Sequence, residues 1–123
     1  MRQILFVDDD FYIRFIYKKI IMENTDFEVK TCNDWKEGRV LFLLQVFDLV
    51  VLDINLPEIS GIDALREIRQ LREHQKVLII SAYGTRENIL TMAQLKANGF
   101  LVKPFTSDHL MTKINQIFQA QKK

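Results

Sequence analysis

Aliphatic runs and helical periodicities take turns along this chain. Leu49-Val50-Val51-Leu52 and Val77–Ile80 run without polar alternation, as does Ile4–Val7. Such runs suit strands covered on both faces, as in parallel sheets. Phe27–Cys32 and Phe100–Val102 complete a set of five short strands. Between them, apolar positions recur every three or four residues. Ile13, Ile16, Tyr17, Ile20 and Ile21 predict a helix over Phe11–Glu23 with Asp10 as its N-cap. A second helix starts after Asn33 or Asp34 and runs to about Gln45. It is apolar to an unusual degree late on, at Val40, Leu41, Phe42, Leu43 and Leu44, with Val46 and Phe47 just beyond. Ile62–Arg72 reads as a third, with Ile62, Leu65, Ile68 and Leu71 on one face and Arg66, Glu67, Arg69, Arg72 and Glu73 on a solvated face of charge pairs. Thr85 caps a fourth helix carrying Ile89, Leu90, Met92, Ala93 and Leu95. Ser107 opens a fifth with Leu110, Ile114, Ile117 and Phe118. Five strands alternating with five helices through short connections give an α/β fold, a doubly wound parallel sheet with helices on both sides. Residues 1–123 read as a single domain without linker or repeat.

Four of the five strands end in a polar residue: Asp8-Asp9, Asp53, Ser81 and Lys103. In a parallel sheet these tips share one edge, the edge where open α/β sheets bind ligands. Three crowded carboxylates repel, so they protonate or bind a cation. Oxygen donors without His or Cys favour a hard ion, Mg²⁺ or Mn²⁺. A lysine and a hydroxyl beside them suit a phosphoryl group, with one aspartate as covalent acceptor. Pro57 and Gly61 shape the loop that follows Asp53.

Composition narrows the setting. The chain is 48% hydrophobic and 27% charged with a formal charge of +1, which suits a globular protein and gives no general nucleic-acid footprint. Cys32 is the only cysteine, so no intramolecular disulfide forms, and its place in a strand makes it a buried hydrophobe. No signal peptide and no 18-residue apolar span is legible, and the expectation is a cytoplasmic protein with no membrane contact. Lys122-Lys123 reads as a solvated tail. Phe11, Tyr12 and Phe15 widen the apolar stripe of the first helix beyond half its circumference. They read as a docking patch beside the acids, against the simpler readings of a thicker core or of scattered exposed apolar residues.

Taken together, "ILFVDDD", "DLVVLDINLP", "IISAYG" and "NGFLVKPF" make the chain resemble a response regulator receiver domain from end to end. The resemblance implies a flavodoxin-like strand order of 2-1-3-4-5. Asp53 would accept a phosphoryl group from a histidine kinase, a histidine phosphotransfer protein or a small phosphodonor. Asp9, Asp53 and the Asn55 backbone carbonyl would ligate Mg²⁺, with Asp8 acting through a bound water. Lys103 would contact the phosphoryl oxygens, Ser81 would follow the phosphoryl group, and Phe100 would swing inward with it. That movement would change the face of helix four, strand five and helix five, which a downstream protein would read. Pro104 would follow a cis peptide bond. Asn55 and Tyr83 would tune dephosphorylation, a bulky Tyr83 favouring a long-lived phosphoryl state. Output would pass through protein contact or onward phosphotransfer, from a monomer or weak dimer that catalyses only its own phosphorylation and dephosphorylation. Two alternatives stay open. One is a Mg²⁺-dependent aspartyl-phosphate phosphatase, which would want an aspartate where Asn55 stands. The other is a receiver domain excised from a longer regulator. The chain departs from the family pattern at Lys96, where a glycine usually ends the fourth helix, and at Gly38 and Arg39, which weaken the second helix's propensity.

Overall fold

The aliphatic runs become the inner strands of one sheet. The computed structural model describes residues 1–82 and 84–120. Their elements are β1 (Gln3–Val7), α1 (Phe11–Asn24), β2 (Glu28–Cys32), α2 (Trp35–Leu44), β3 (Leu49–Asp53), α3 (Gly61–Leu71), β4 (Val77–Ser81), α4 (Arg86–Gln94), β5 (Gly99–Val102) and α5 (Ser107–Gln119). All neighbours pair in parallel in the order β2-β1-β3-β4-β5. Because strand side chains alternate between faces, each run feeds two cores. Leu5, Val7, Val50, Leu52, Val77 and Ile79 pack with Trp35, Phe42, Leu65, Ile68 and Met92 of α2, α3 and α4. Ile4, Phe6, Leu49, Val51, Leu78 and Ile80 pack with Ile21 of α1 and Leu110, Ile114, Ile117 and Phe118 of α5. The uniform apolarity of β3 and β4 is thus the signature of a double burial.

Each helix begins on a side chain that accepts a backbone N–H: Asp10, Asp34, Ser60, Thr85 and Thr106. The expected boundaries hold to within one residue.

The amphipathic pattern is less faithful to the packing. Leu71, expected on the apolar face of α3, is exposed, and so are Ile89 and Leu90 of α4, which buries only Met92. The expected solvated face of α3 is instead partly structural. Glu67 accepts from Trp35 Nε1 at 2.8 Å and pairs with Arg39 across to α2 through two hydrogen bonds. Those Arg39 bonds hold the Glu67 carboxyl below its ordinary pKa. Arg39 therefore anchors the helix it was expected to weaken. Gly38 has a packing reason too, since a Cβ there would lie 2.9 Å from the Trp35 ring.

The α4 terminus keeps the geometry of a glycine cap without the glycine. Lys96 N–H donates to Ala93 O at 3.1 Å and Ala97 N–H to Met92 O at 3.0 Å, the bond pair of a Schellman motif, with Lys96 at φ 57°. A side chain in that region is strained. Lys96→Gly is expected to stabilise the fold by about 0.5 kcal/mol, the relief of strain exceeding the added chain entropy. The check is a higher urea midpoint at unchanged m-value; a lower midpoint refutes it.

Candidate acidic phosphoryl site

Parallel pairing delivers the polar strand ends to one place. Asp8 follows β1 and is fully buried, Asp53 closes β3 at 4% exposure, and Asp9 reaches solvent. One carboxylate oxygen from each lies within 4.8 Å of the others. Lys103, just past β5, donates from Nζ to Asp8 Oδ2 and Asp53 Oδ2, both at 2.9 Å. The remaining oxygens of the buried pair are also engaged. Asp8 Oδ1 accepts the Asp10 N–H at 2.9 Å and Asp53 Oδ1 the Asn55 N–H at 3.0 Å. Burial pushes the Asp8 carboxyl above its ordinary pKa, against the Asp10 and Lys103 hydrogen bonds that pull it down. Burial alone would lower Lys103, but its bonds to Asp53 and Asp8 outweigh that and raise it.

One ammonium beside three clustered carboxylates leaves an excess of negative charge among oxygen donors. That donor set fits a hard divalent ion held at Asp8, Asp9 and Asp53.

The shell that positions these groups was largely invisible in the sequence. Arg14, one turn past the Asp10 cap, donates to the Asp8 carbonyl at 2.6 Å and fixes the peptide joining the two acids. Lys103 N–H donates to Ser81 O at 2.7 Å, and the Lys103–Pro104 bond is cis, as the resemblance implies. Tyr17 of α1 stacks on Phe105 at 4.8 Å and gives its hydroxyl hydrogen to the Phe105 carbonyl at 3.0 Å, so α1 holds the loop that carries Lys103. An arginine and a tyrosine on the helix after the acid pair were the available signals.

After Asp53 the chain turns sharply. Ile59 N–H donates to Pro57 O at 2.7 Å around Glu58, which sits at φ 65°. Gly61 then runs against β3, its N–H bonded to Ile54 O at 2.7 Å, and a Cβ there would fall 2.2 Å from the Asp53 carbonyl oxygen. The loop-shaping glycine is required by space, not by an unusual φ. Ser81 ends β4 fully buried, one residue past the Ile80 that pairs with Asp53. Phe100 is half-buried on the α2–α4 side, near enough that a Cβ on Gly84 would touch its ring. Phe11, Tyr12 and Phe15 are exposed at 71%, 68% and 58%, and so do not thicken the core. Phe11 and Phe15 stack on each other and line a groove of about 310 Å³ with Arg14, Lys18 and the start of α2. Tyr83 and the Lys122-Lys123 tail lie outside the described residues.

Comparison with known proteins agrees with this geometry. Residues 4–115 match the family model described as response regulator receiver domain. Chemotaxis protein CheY-3 of Vibrio cholerae is 37% identical over 119 residues, covering 95% of this chain and 92% of that protein. The CheY-like receiver domain protein of Methanospirillum hungatei JF-1 superposes with a TM-score of 0.93 at 28% identity, covering 99% and 97% of the two chains. The response regulator TrrA of Thermotoga maritima, solved in complex with Mg(2+)-BeF, gives 0.85 at 32% identity over 95% and 99%. Five parallel strands in this order, acids at their tips and a matching family model over nearly the whole length place the chain in one group: it belongs to the response regulator receiver domain family of two-component signalling.

Proposed function

We propose that Asp53 is the phosphoacceptor of a Mg²⁺-dependent switch. The observation that carries this reading is the single Lys103 ammonium shared by the buried carboxylates of Asp8 and Asp53 at 2.9 Å each. Among the described residues, each Asp53 oxygen accepts one hydrogen bond and keeps a lone pair for attack, with a cation beside the product's new anionic oxygens. Asp53 forms a P–O bond as the donor's P–N bond to histidine, or P–O bond to acetate, breaks; the leaving group takes the electron pair and the histidine recovers its proton. Asp9, Asp53 and the Asn55 carbonyl would hold Mg²⁺, with Asp8 acting through a bound water, and the ion would supply charge neutralisation for the incoming phosphoryl group. Lys103 and Ser81 then receive its oxygens, Phe100 follows Ser81, and Asn55 with Tyr83 sets how fast water removes the group. Pro57, Gly61 and Pro104 keep the two loops in place. In this reading residues 1–123 act as one receiver unit in the cytoplasm, with no catalysis beyond the domain's own phosphorylation and dephosphorylation.

The test is incubation with acetyl phosphate and Mg²⁺ followed by intact mass. The expected result is an adduct of about 80 Da on the wild type and none on Asp53→Asn. No adduct, or one that persists in Asp53→Asn, overturns the assignment.

The partners follow from the same reading. A histidine kinase or histidine phosphotransfer protein is the donor, and Phe11, Tyr12 and Phe15 form its contact beside the acids, supported by their exposure. Phe11→Ala with Tyr12→Ala is expected to slow transfer from a phosphorylated kinase about tenfold, the effect of roughly 1.4 kcal/mol of lost contact, while acetyl phosphate labelling stays unchanged. Equal loss in both assays refutes the docking role. The output face is α4, β5 and α5, where Leu90 and Val102 are exposed.

A further inference from the structure

The outward side of α2 is apolar where α3 and α5 turn polar groups to water. α3 presents Asp63, Arg66 and Gln70, and α5 presents Thr112, Asn115 and Gln116. α2 buries Trp35, Gly38 and Phe42 toward the sheet. Opposite them it exposes Val40 at 56%, Leu43 at 56% and Leu44 at 77%, and Val46 just past the helix is 75% exposed. At 100° per residue Val40 points almost directly away from Phe42 and Gly38, so this is a stripe and not scatter. A helix apolar on both sides is normally covered on both.

The charges beside the stripe indicate what covers it. On the sheet-edge flank, Glu37 stands in the first turn of α2, exposed and without an ion-pair partner among the described residues. At the other end of the same flank, Lys30 of the edge strand β2 is exposed and, among the described residues, bonded only to the neutral Gln45 side chain. Glu37 and Gln45 are eight residues apart, about 12 Å along a helix. A two-fold axis lying in the contact plane between two copies of α2, perpendicular to the helix and level with Leu41, reverses the helix and keeps each flank on its own side. It sets Glu37 of one copy against Gln45 and Lys30 of the other, twice per pair, as an isologous contact requires. The apolar stripes then face each other with Val40 near the centre.

We propose that α2 is a self-association surface: two copies of this chain pair antiparallel through Val40, Leu43, Leu44 and Val46, with Glu37 and Lys30 forming reciprocal ion pairs at the rim. The face is distinct from the α4–β5–α5 side and independent of phosphorylation chemistry. Four apolar side chains per copy make a small interface, so the dimer is weak, with Kd in the range of roughly 10–500 µM.

Sedimentation equilibrium of the unphosphorylated chain decides it. The weight-average mass is expected to rise from 14.6 kDa toward twice that value as concentration increases. Leu44→Lys, a change at an exposed position that leaves the melting temperature unaltered, is expected to weaken association more than about 30-fold. Glu37→Lys and Lys30→Glu each are expected to weaken it about tenfold, and the double exchange to restore it to within about threefold, because the pairs are re-formed with signs reversed. A mass that stays at one chain up to about 1 mM overturns the proposal and assigns the stripe to a different partner. Association unaffected by Leu44→Lys, or a double exchange no better than the single variants, overturns it equally.

Discussion

Lys103→Met is expected to cost about 3 kcal/mol of stability in EDTA and to reduce acetyl phosphate labelling by roughly 10–100-fold. The stability loss arises because the ammonium is the one cation among the described residues that meets both Asp8 and Asp53, at 2.9 Å each. Methionine fills the space but leaves two buried carboxylates facing each other with only single backbone N–H donors. Removing one member of a buried ionic cluster strands the rest, a larger loss than the net worth of the intact cluster. The labelling loss is the removal of a charge-assisted hydrogen bond to the phosphoryl oxygens.

Two conditions give this prediction a shape that a packing defect would not share. Adding Mg²⁺ should recover more stability in Lys103→Met than in the wild type, since the ion takes over neutralisation. The deficit should also shrink in acid. Asp8 already has a raised pKa in the folded chain. A raised carboxyl favours folding when protonated and loses that contribution as pH rises through its folded value. Losing the ammonium raises Asp8 further, so the deficit shrinks as the pH falls through the Asp8 titration and grows as it rises. Urea denaturation with EDTA or Mg²⁺ across that titration measures all of this. A deficit independent of pH and Mg²⁺ would mark the lysine as a space-filler.

Gly61→Ala is expected to destabilise the chain by at least about 3 kcal/mol and to impair labelling although no charged group is touched. A Cβ on Gly61 would meet the Asp53 carbonyl oxygen at 2.2 Å, Ile54 Cα at 2.7 Å and the Asp53 carbonyl carbon at 2.9 Å. These are backbone atoms of a fully buried strand, so no rotamer change relieves them. Alanine's better helix propensity recovers about 1 kcal/mol at most. The clash has to move either the first turn of α3 or the end of β3, and the second of these carries Asp53. A Gly61→Ala protein with wild-type urea midpoint would show slack between α3 and β3 that the contact distances exclude.

What could be read from the sequence was what depends on position along a strand or helix. An acid directly after four buried aliphatic residues announces a strand tip with partners, which is why Asp53 stood out before any neighbour was placed. Parallel topology then brings Asp8, Asp9, Ser81 and Lys103 to the same edge. Periodicity shows which side chains share a face, but not whether another element covers that face. Leu71, Ile89 and Leu90 have the spacing of core residues and lie in water. Long polar side chains were opaque for the complementary reason: Arg14 and Arg69 act on backbone carbonyls, which every residue possesses and no sequence pattern marks. Gly61 was legible as a loop residue, but its reason, the close approach of two backbones, belongs to the tertiary structure.

Arg69 has a mechanical meaning beyond its hydrogen bonds. Its guanidinium donates to the carbonyls of Leu95 at 2.8 Å, Lys96 at 2.8 Å and Gln75 at 2.6 Å, fastening the C-terminal end of α4 to α3. Met92, the one buried side chain of α4, lies near that same end, while Arg86, Glu87, Ile89 and Leu90 at the other are exposed. A rod clamped at one end and loose at the other is a lever with its fulcrum at the clamp. If Ser81 moves as proposed, its shift would enter α4 at the end far from the clamp, where a given force produces the widest sweep.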